Sequence, residues 1–133
     1  PAFRAASSQI FNATTGVFSL SINKPVAAVA GDIMFLSVGV RNENTVSVPT
    51  DWISISVKQQ STEVAYALFY KYCGVSEPSA YTVSWTFAGA NSISRDAVAS
   101  IVAYDVEGKP FIRYASAEGS GTWSSFLLHT YGI

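Results

Sequence analysis

Chemistry at a protein site needs groups that exchange protons, attack as nucleophiles, hold metals or stack on ligands, and this sequence is poor in the first three. His129 is its only histidine and Cys73 its only cysteine. His129 falls among Leu128, Thr130 and Tyr131 in a terminal apolar run, where an imidazole reads as a structural or surface group rather than a general base. Cys73 ends another apolar run, which predicts a buried structural thiol, and a lone cysteine closes no internal disulfide. One cysteine and one histidine cannot build the usual zinc shell. Serines are abundant, yet no Gly-x-Ser-x-Gly elbow occurs, and neither a Ser/His/Asp triad nor a Cys73/His129 pair has a local signature. Asp32, Asp51, Asp96 and Asp105 lack the spacing of a calcium loop and read as turn residues. Glu77, before Pro78, and Glu118, before Gly119, are candidates for a glycosidase carboxylate pair only by elimination, and both read as solvated turn residues. No phosphate-cradling glycine pattern is present. The expectation is a protein that is not an enzyme and takes no cofactor or metal.

Aromatic side chains are the better lead, because Trp and Tyr serve both ligand stacking and protein interfaces. Trp85 sits in a strictly alternating run and is expected in the core. Trp52 follows a long polar stretch, Trp123 follows Gly-Ser-Gly-Thr, and Tyr131 shares a face with Trp123 in the last run. These three are the candidate interface residues. A pair of exposed rings such as Trp52 and Trp123 would also stack sugars, which keeps a carbohydrate-binding module as the alternative. Asn12-Ala-Thr14 matches a glycosylation sequon, a triplet common by chance.

The elements that position these residues are strands. Tyr81, Val83, Trp85 and Phe87 alternate with Thr82, Ser84 and Thr86, the period-2 signature of one buried and one polar face. Upstream, Val64, Tyr66, Leu68, Tyr70 and Tyr72 share a face, and the connector GVSEPS at 74–79 predicts that the two runs form an antiparallel hairpin. Phe18, Leu20 and Ile22 alternate with Ser19 and Ser21 until Lys24-Pro25 ends the strand. A turn at 30–32 launches the nearly continuous apolar run 33–41, expected of a central strand buried on both faces. Residues 42–51 carry turn-formers without period and predict a long loop over one end. A strand is expected at 52–57. At 97–106 the β-branched residues and the turn at 108–110 favour strand over helix. Short strands follow at 111–114 and within 122–131, and 88–96 reads as a loop. The sum is an all-β chain, an antiparallel β-sandwich of jelly-roll or immunoglobulin-like type. It has about eight or nine strands, no substantial helix and a single domain over 1–133.

Composition narrows the partners. Charged residues make up 13% of the chain and hydrophobic ones 49%, against about 25% charged in ordinary domains. The net charge is −1 and the eight Lys and Arg are scattered, so no basic footprint for nucleic acid exists. No segment has the ~18 consecutive apolar residues of a membrane span, and the N-terminal region has no apolar stretch to act as a signal peptide. A Pro-Ala start would suit a complete small protein that lost its initiator Met, and equally a domain trimmed from a longer one. So few charges suit a surface kept against protein neighbours, because charge is depleted at interface cores.

Four stretches carry a resemblance: Gly31-Asp32 with the apolar run after it, Val48-Pro-Thr-Asp-Trp52, the run 69–85 (FYKYCGVSEPSAYTVSW) and the run 97–104 (AVASIVAY). Over about residues 31–105 the chain resembles phage virion proteins. In that group β-sandwich domains occur in tail and fibre proteins and in small capsid-decorating proteins. They carry a Pro-x-x-Trp element, a Tyr-Lys … Glu-Pro-x-x-Tyr-Thr segment and an Ala/Val-rich strand ending in Tyr. The resemblance implies a structural role in the virion, assembled in the host cytoplasm. Its partners would be the major capsid protein or tail components, and a capsid cement protein of this kind forms homo-oligomers, typically trimers over capsomer junctions. A tail or receptor-binding domain is the other placement. The motifs mark a scaffold and transfer no catalytic residue.

Overall fold

The computed structural model describes residues 2–12, 16–41, 44–60, 64–87, 96–106, 111–114 and 128–131. In chain order the strands are β1 (Ala2–Phe11), β2 (Ser19–Asn23), β3 (Ile33–Arg41), β4 (Asn44–Val46), β5 (Ile53–Gln60), β6 (Val64–Tyr72), β7 (Ala80–Phe87), β8 (Ala97–Asp105), β9 (Phe111–Tyr114) and β10 (Leu128–Tyr131). No helix occurs among the described residues, so none there is long and apolar enough to cross a membrane. Eight strands build two antiparallel sheets, a five-stranded one in the order β1-β8-β3-β6-β5 and a three-stranded one in the order β2-β7-β4, and β9 pairs with β10. The expected β-sandwich is what the chain forms.

Period-2 alternation fixes which residues face inward. From the larger sheet, Met34, Leu36, Val38 and Val40 of β3, Ala67 and Phe69 of β6, and Ala97, Ala99, Ile101 and Ala103 of β8 enter one core with Leu20, Ile22, Val46, Val83 and Trp85 of the smaller sheet. The small residues on β6 and β8 leave room for the large rings opposite, as in the edge-to-face pair Phe11–Trp85 at 5.4 Å. Each fully buried Leu, Ile or Phe here contributes about 1.5–3 kcal/mol. Ser7 Oγ of β1 donates to the Asn23 carbonyl of β2 at 2.6 Å, tying the sheets at one edge.

Several expectations change. β6 and β7 do not pair with each other: β6 lies between β3 and β5, while β7 lies between β2 and β4 in the opposite sheet. Residues 73–79 therefore form a crossover between sheets and not a hairpin loop. Alternation reports which face of a strand is dry, and says nothing about which strand lies beside it. The inward face of β6 is also the less apolar one, Ala65, Ala67, Phe69 and Lys71, while Tyr66, Leu68, Tyr70 and Tyr72 look outward. β1 has too weak an apolar contrast (AFRAASSQIF) to show a period, as suits an edge strand, and it pairs antiparallel with β8. The stretch 42–51 holds β4, a short strand on β7. The strand reading at 97–106 holds as β8, and β3 is central as expected. The expected strand at 122–131 is described only as β10, and the expected loop at 88–95 lies outside the described residues.

Candidate functional site

Two crossovers lie side by side at one end of the sandwich. Residues 24–32 carry the chain from β2 to β3, and residues 73–79 carry it back from β6 to β7. They are hydrogen-bonded to each other through Lys24 N to Ser79 O (2.8 Å), Gly31 N to Cys73 O (2.9 Å) and Cys73 N to Asp32 O (2.8 Å). The first closes in a turn, Asp32 N to Val29 O at 3.1 Å, and Gly31 takes φ +95° there, a conformation side-chain-bearing residues rarely adopt. Lys24 Nζ donates to the carbonyl of Ala28 at 2.7 Å.

Each crossover carries one buried carboxylate, and both do the same local job. Asp32 Oδ2 accepts from Val29 N–H at 2.9 Å, and Glu77 Oε1 accepts from Gly74 N–H at 2.8 Å. In each case the acid clamps the amide three residues upstream, which satisfies a loop donor that has no ladder partner. Each acid is then neutralised from the larger sheet. Arg4 of β1 reaches Asp32 Oδ2 with Nε at 2.8 Å and Asp105 Oδ2 with Nη2 at 3.1 Å. Lys71 of β6 reaches Glu77 Oε1 with Nζ at 3.0 Å and lies 5.6 Å from the centre of the Tyr81 ring. Tyr81 O–H donates to Glu77 Oε2 at 2.7 Å. The reading of Glu77 as a solvated turn residue is therefore corrected, while Asp32 is the turn residue it was expected to be, with its carboxylate buried. Both are buried because a cation from a neighbouring strand meets them, and strand patterns do not show that pairing.

Burial pushes the Glu77 carboxyl upward, but the bonds from Gly74, Tyr81 and Lys71, with the Lys71 charge, outweigh it and hold the group below the usual carboxylate range. Burial, then the bond to Glu77 and its charge, push the Tyr81 phenol up. Cys73 is a buried free thiol, as expected. Burial raises its pKa, the charges of Glu77 and Asp32 add to the rise, and Lys24 and Lys71 oppose it. These shifts describe a clamp whose charges are spent on one another: both Glu77 oxygens are occupied.

The outer face of the larger sheet is the second notable region. Register places Phe3 beside Tyr104, Tyr104 beside Ile33, Ile33 beside Tyr72, Phe35 beside Tyr70, and Tyr70 beside Ile53, so an apolar band crosses all five strands at the crossover end. Ile33, Phe35, Ile55 and Leu68 form a buried cluster in it, with Tyr70, Tyr104 and Val106 packed against them. Tyr104 meets Phe3 and Phe35 edge to face, each at 6.2 Å. Toward the edges the band opens to solvent, with Phe3 64% and Ile53 52% exposed. A hydrogen bond between Ser37 and Ser100 hydroxyls at 2.8 Å marks its polar limit.

Of the three candidate interface residues, Trp52 is placed in the core, 5% exposed and edge to face with Tyr81 at 5.2 Å. It follows a turn closed by Trp52 N to Pro49 O, with Asp51 at φ 67°, and that turn drives the ring inward. Trp123 lies outside the described residues. Tyr131 ends β10 opposite Phe111, and His129 stands opposite Arg113; the side chains of both lie outside the described part. What sequence reasoning missed, the two ion-pair clamps, left a faint signal: an acid three residues after the residue whose amide it accepts, in two loops rich in Val, Ala, Gly and Ser. Compared with family models, with curated proteins and with solved structures, the chain matches none.

Proposed function

We propose that this chain is a non-enzymatic structural protein of a phage virion, a decoration or cement protein that stabilises the capsid shell through protein–protein contacts. The observation that carries this reading is the outer face of the larger sheet, where an apolar band is dry at its centre and opens at both edges through Phe3 and Ile53. Exposed apolar side chains at the two sheet edges, flanking a dry centre, are contact points for neighbouring proteins. The low charge of the chain supports the same reading. The sugar-stacking alternative loses one of its two rings, because Trp52 is buried.

A cement protein acts by mass action, because contacts made only to assembled neighbours raise the free energy needed to separate them. Each apolar Å² buried is worth roughly 25 cal/mol before association costs, so a modest contact repeated over a lattice adds up. The test is co-sedimentation of the purified protein with expanded and mature capsids. Saturable binding to assembled shells, weakened by Ile53→Asp with an unchanged unfolding midpoint, is the expected result. Association with tail components in place of capsids, or with neither, would overturn it.

A further inference from the structure

Part of the outer face of the larger sheet is dry although neither sheet of the sandwich lies above it. Ile33 is 0% exposed and Phe35 and Leu68 6% each, and all three point away from the smaller sheet. In register Ile33 stands between Tyr72 and Tyr104, and Phe35 between Tyr70 and Val102. Side chains stand roughly perpendicular to a sheet, so such neighbours shield the flanks of a residue and leave its tip to solvent. Further along the same face that is what happens: Ser37 is exposed, Val98 is 50% exposed and Ile10 beside it 68%. A cover therefore lies over the crossover half of this face and stops short of the other half.

Chain topology identifies the cover. Among the described residues, the partly buried apolar side chains packed on this cluster are Tyr70, Tyr104 and Val106. The two tyrosines belong to the sheet itself, whereas Val106 is the first residue past β8 and carries the chain onto the outer face at the crossover end. Other connections are wrongly placed. Residues 24–32 and 73–79 run between the two sheets, and the turn before β5 sends Trp52 into the central core. The remaining connections meet the larger sheet at its opposite end, at Phe11, Arg41, Gln60, Val64 and Ala97. The longest of them joins β7 to β8, and out and back it reaches ~15 Å at most, part of which is spent on the ~10 Å between sheets. Phe35 lies beside Val102, ~17 Å along β8 from Ala97.

The segment that follows Val106 holds β9 and β10, which pair only with each other among the described strands. A lone two-stranded hairpin is marginal in water and needs a surface to pack on. Its strands carry Phe111, Ile112, Tyr114, Leu128 and Tyr131, the composition of a packing layer. Residues 107–110 span up to ~14 Å, which sets β9 within reach of the cluster.

We infer that the C-terminal hairpin β9–β10 is the cover, packed as a third layer on the outer face of the larger sheet over Ile33, Phe35, Ile55 and Leu68. Phe3 and Ile53 stay open at the two rims beside it. The sheet needs a lid on its apolar centre, the hairpin needs a surface, and each meets the need of the other. This contact lies within one chain and does not depend on whether the chain decorates a capsid.

The test is isotope-edited NOE spectroscopy on the full chain, with a second sample that mixes labelled and unlabelled copies. NOEs from Ile112 or Leu128 methyls to the methyls of Ile33, Ile55 or Leu68 are expected, and they should be absent between labelled and unlabelled copies. A second readout is binding of the dye ANS, which reports exposed apolar surface. Ile112→Asp/Leu128→Asp should raise it severalfold by lifting the hairpin, while the near-ultraviolet dichroism of the buried Trp52 and Trp85 stays as in wild type. Ile10→Asp, on the open half of the face, should leave dye binding unchanged. The wild-type NOEs decide the matter whatever the stability of the double variant. Cross-strand β9–β10 NOEs without any to the cluster, cluster NOEs found only between copies, or a folded double variant with unchanged dye binding would each overturn the inference.

Discussion

The two crossovers solve one problem in two settings. Both must pass between sheets, where no ladder satisfies their amides, and both use a carboxylate to hold the amide three residues upstream. They differ in where the counter-charge comes from. Arg4 stands on the edge strand β1, its side chain is 31% exposed, and it divides its guanidinium between Asp32 and the half-exposed Asp105. Lys71 comes from the inward face of β6, and its charge has the single acid Glu77 and the Tyr81 ring within reach. The Asp32 clamp has a spare partner and access to water, whereas the Glu77 clamp is enclosed. Losing one member therefore has unequal consequences, because a stranded charge costs most where nothing else can solvate it.

The largest effect is expected at Glu77→Ala. It strands a buried ammonium, frees the Gly74 amide and removes the acceptor of the Tyr81 hydroxyl, so a loss of about 3–5 kcal/mol is expected in urea-denaturation free energy. A loss no larger than that of an exposed ion pair would erase the contrast between the crossovers. Next comes a double-mutant cycle of Lys71→Met and Glu77→Gln. Each single change leaves one charge alone in the interior. The double leaves none, and its Gln keeps an oxygen for the Gly74 amide while its NH2 donates to a rotated Tyr81 hydroxyl, so the double variant should lose about 1–3 kcal/mol less than the sum of the singles.

The third effect is on acid stability. The folded Glu77 carboxyl lies below its ordinary value of 4.5, so its contribution is complete above that pH and is lost as pH falls through the lower, folded value. Unfolding free energy measured from neutrality downward should fall below pH ~4.5 in wild type. The Lys71→Met/Glu77→Gln variant should lose less over the same interval. Identical slopes would show that Glu77 is not held in the ionised state by its neighbours.

This contrast also separates what was legible in the sequence from what was not. The sandwich was legible because alternation survives in β2, β7 and much of β8, where one face is apolar and the other Ser or Thr. The partnering of strands was not. Tyr66, Tyr70 and Tyr72 made the outward face of β6 look like the core face, and Ala65, Ala67 and Lys71 made the core face look polar. The clamps were illegible for a related reason. Asp32 and Glu77 sit beside Gly31 and Pro78, a context that reads as a turn whether or not a cation waits above it. Arg4 and Lys71 lie 28 and 6 positions away from their acids, distances no local pattern can join. Trp52 shows the converse: a ring following a polar stretch looks peripheral, until the turn at 49–52 directs it inward.

The smallest effect should fall on the Asp32 side, and it bears on the comparison most directly. Asp32→Asn keeps an oxygen that accepts from the Val29 amide, and it leaves Arg4 with Asp105 at 3.1 Å and with water. The loss is then that of one ion pair between a buried carboxylate and a part-exposed guanidinium, about 1–2 kcal/mol. Asp105→Asn removes a half-exposed partner and should cost less still, at most about 1 kcal/mol. The two changes together should cost more than their sum, because only then does Arg4 lose both acids. That sign is opposite to the one expected for Lys71 and Glu77, where the second substitution relieves the first. A redundant clamp fails when its last partner goes, and an exclusive clamp fails with the first.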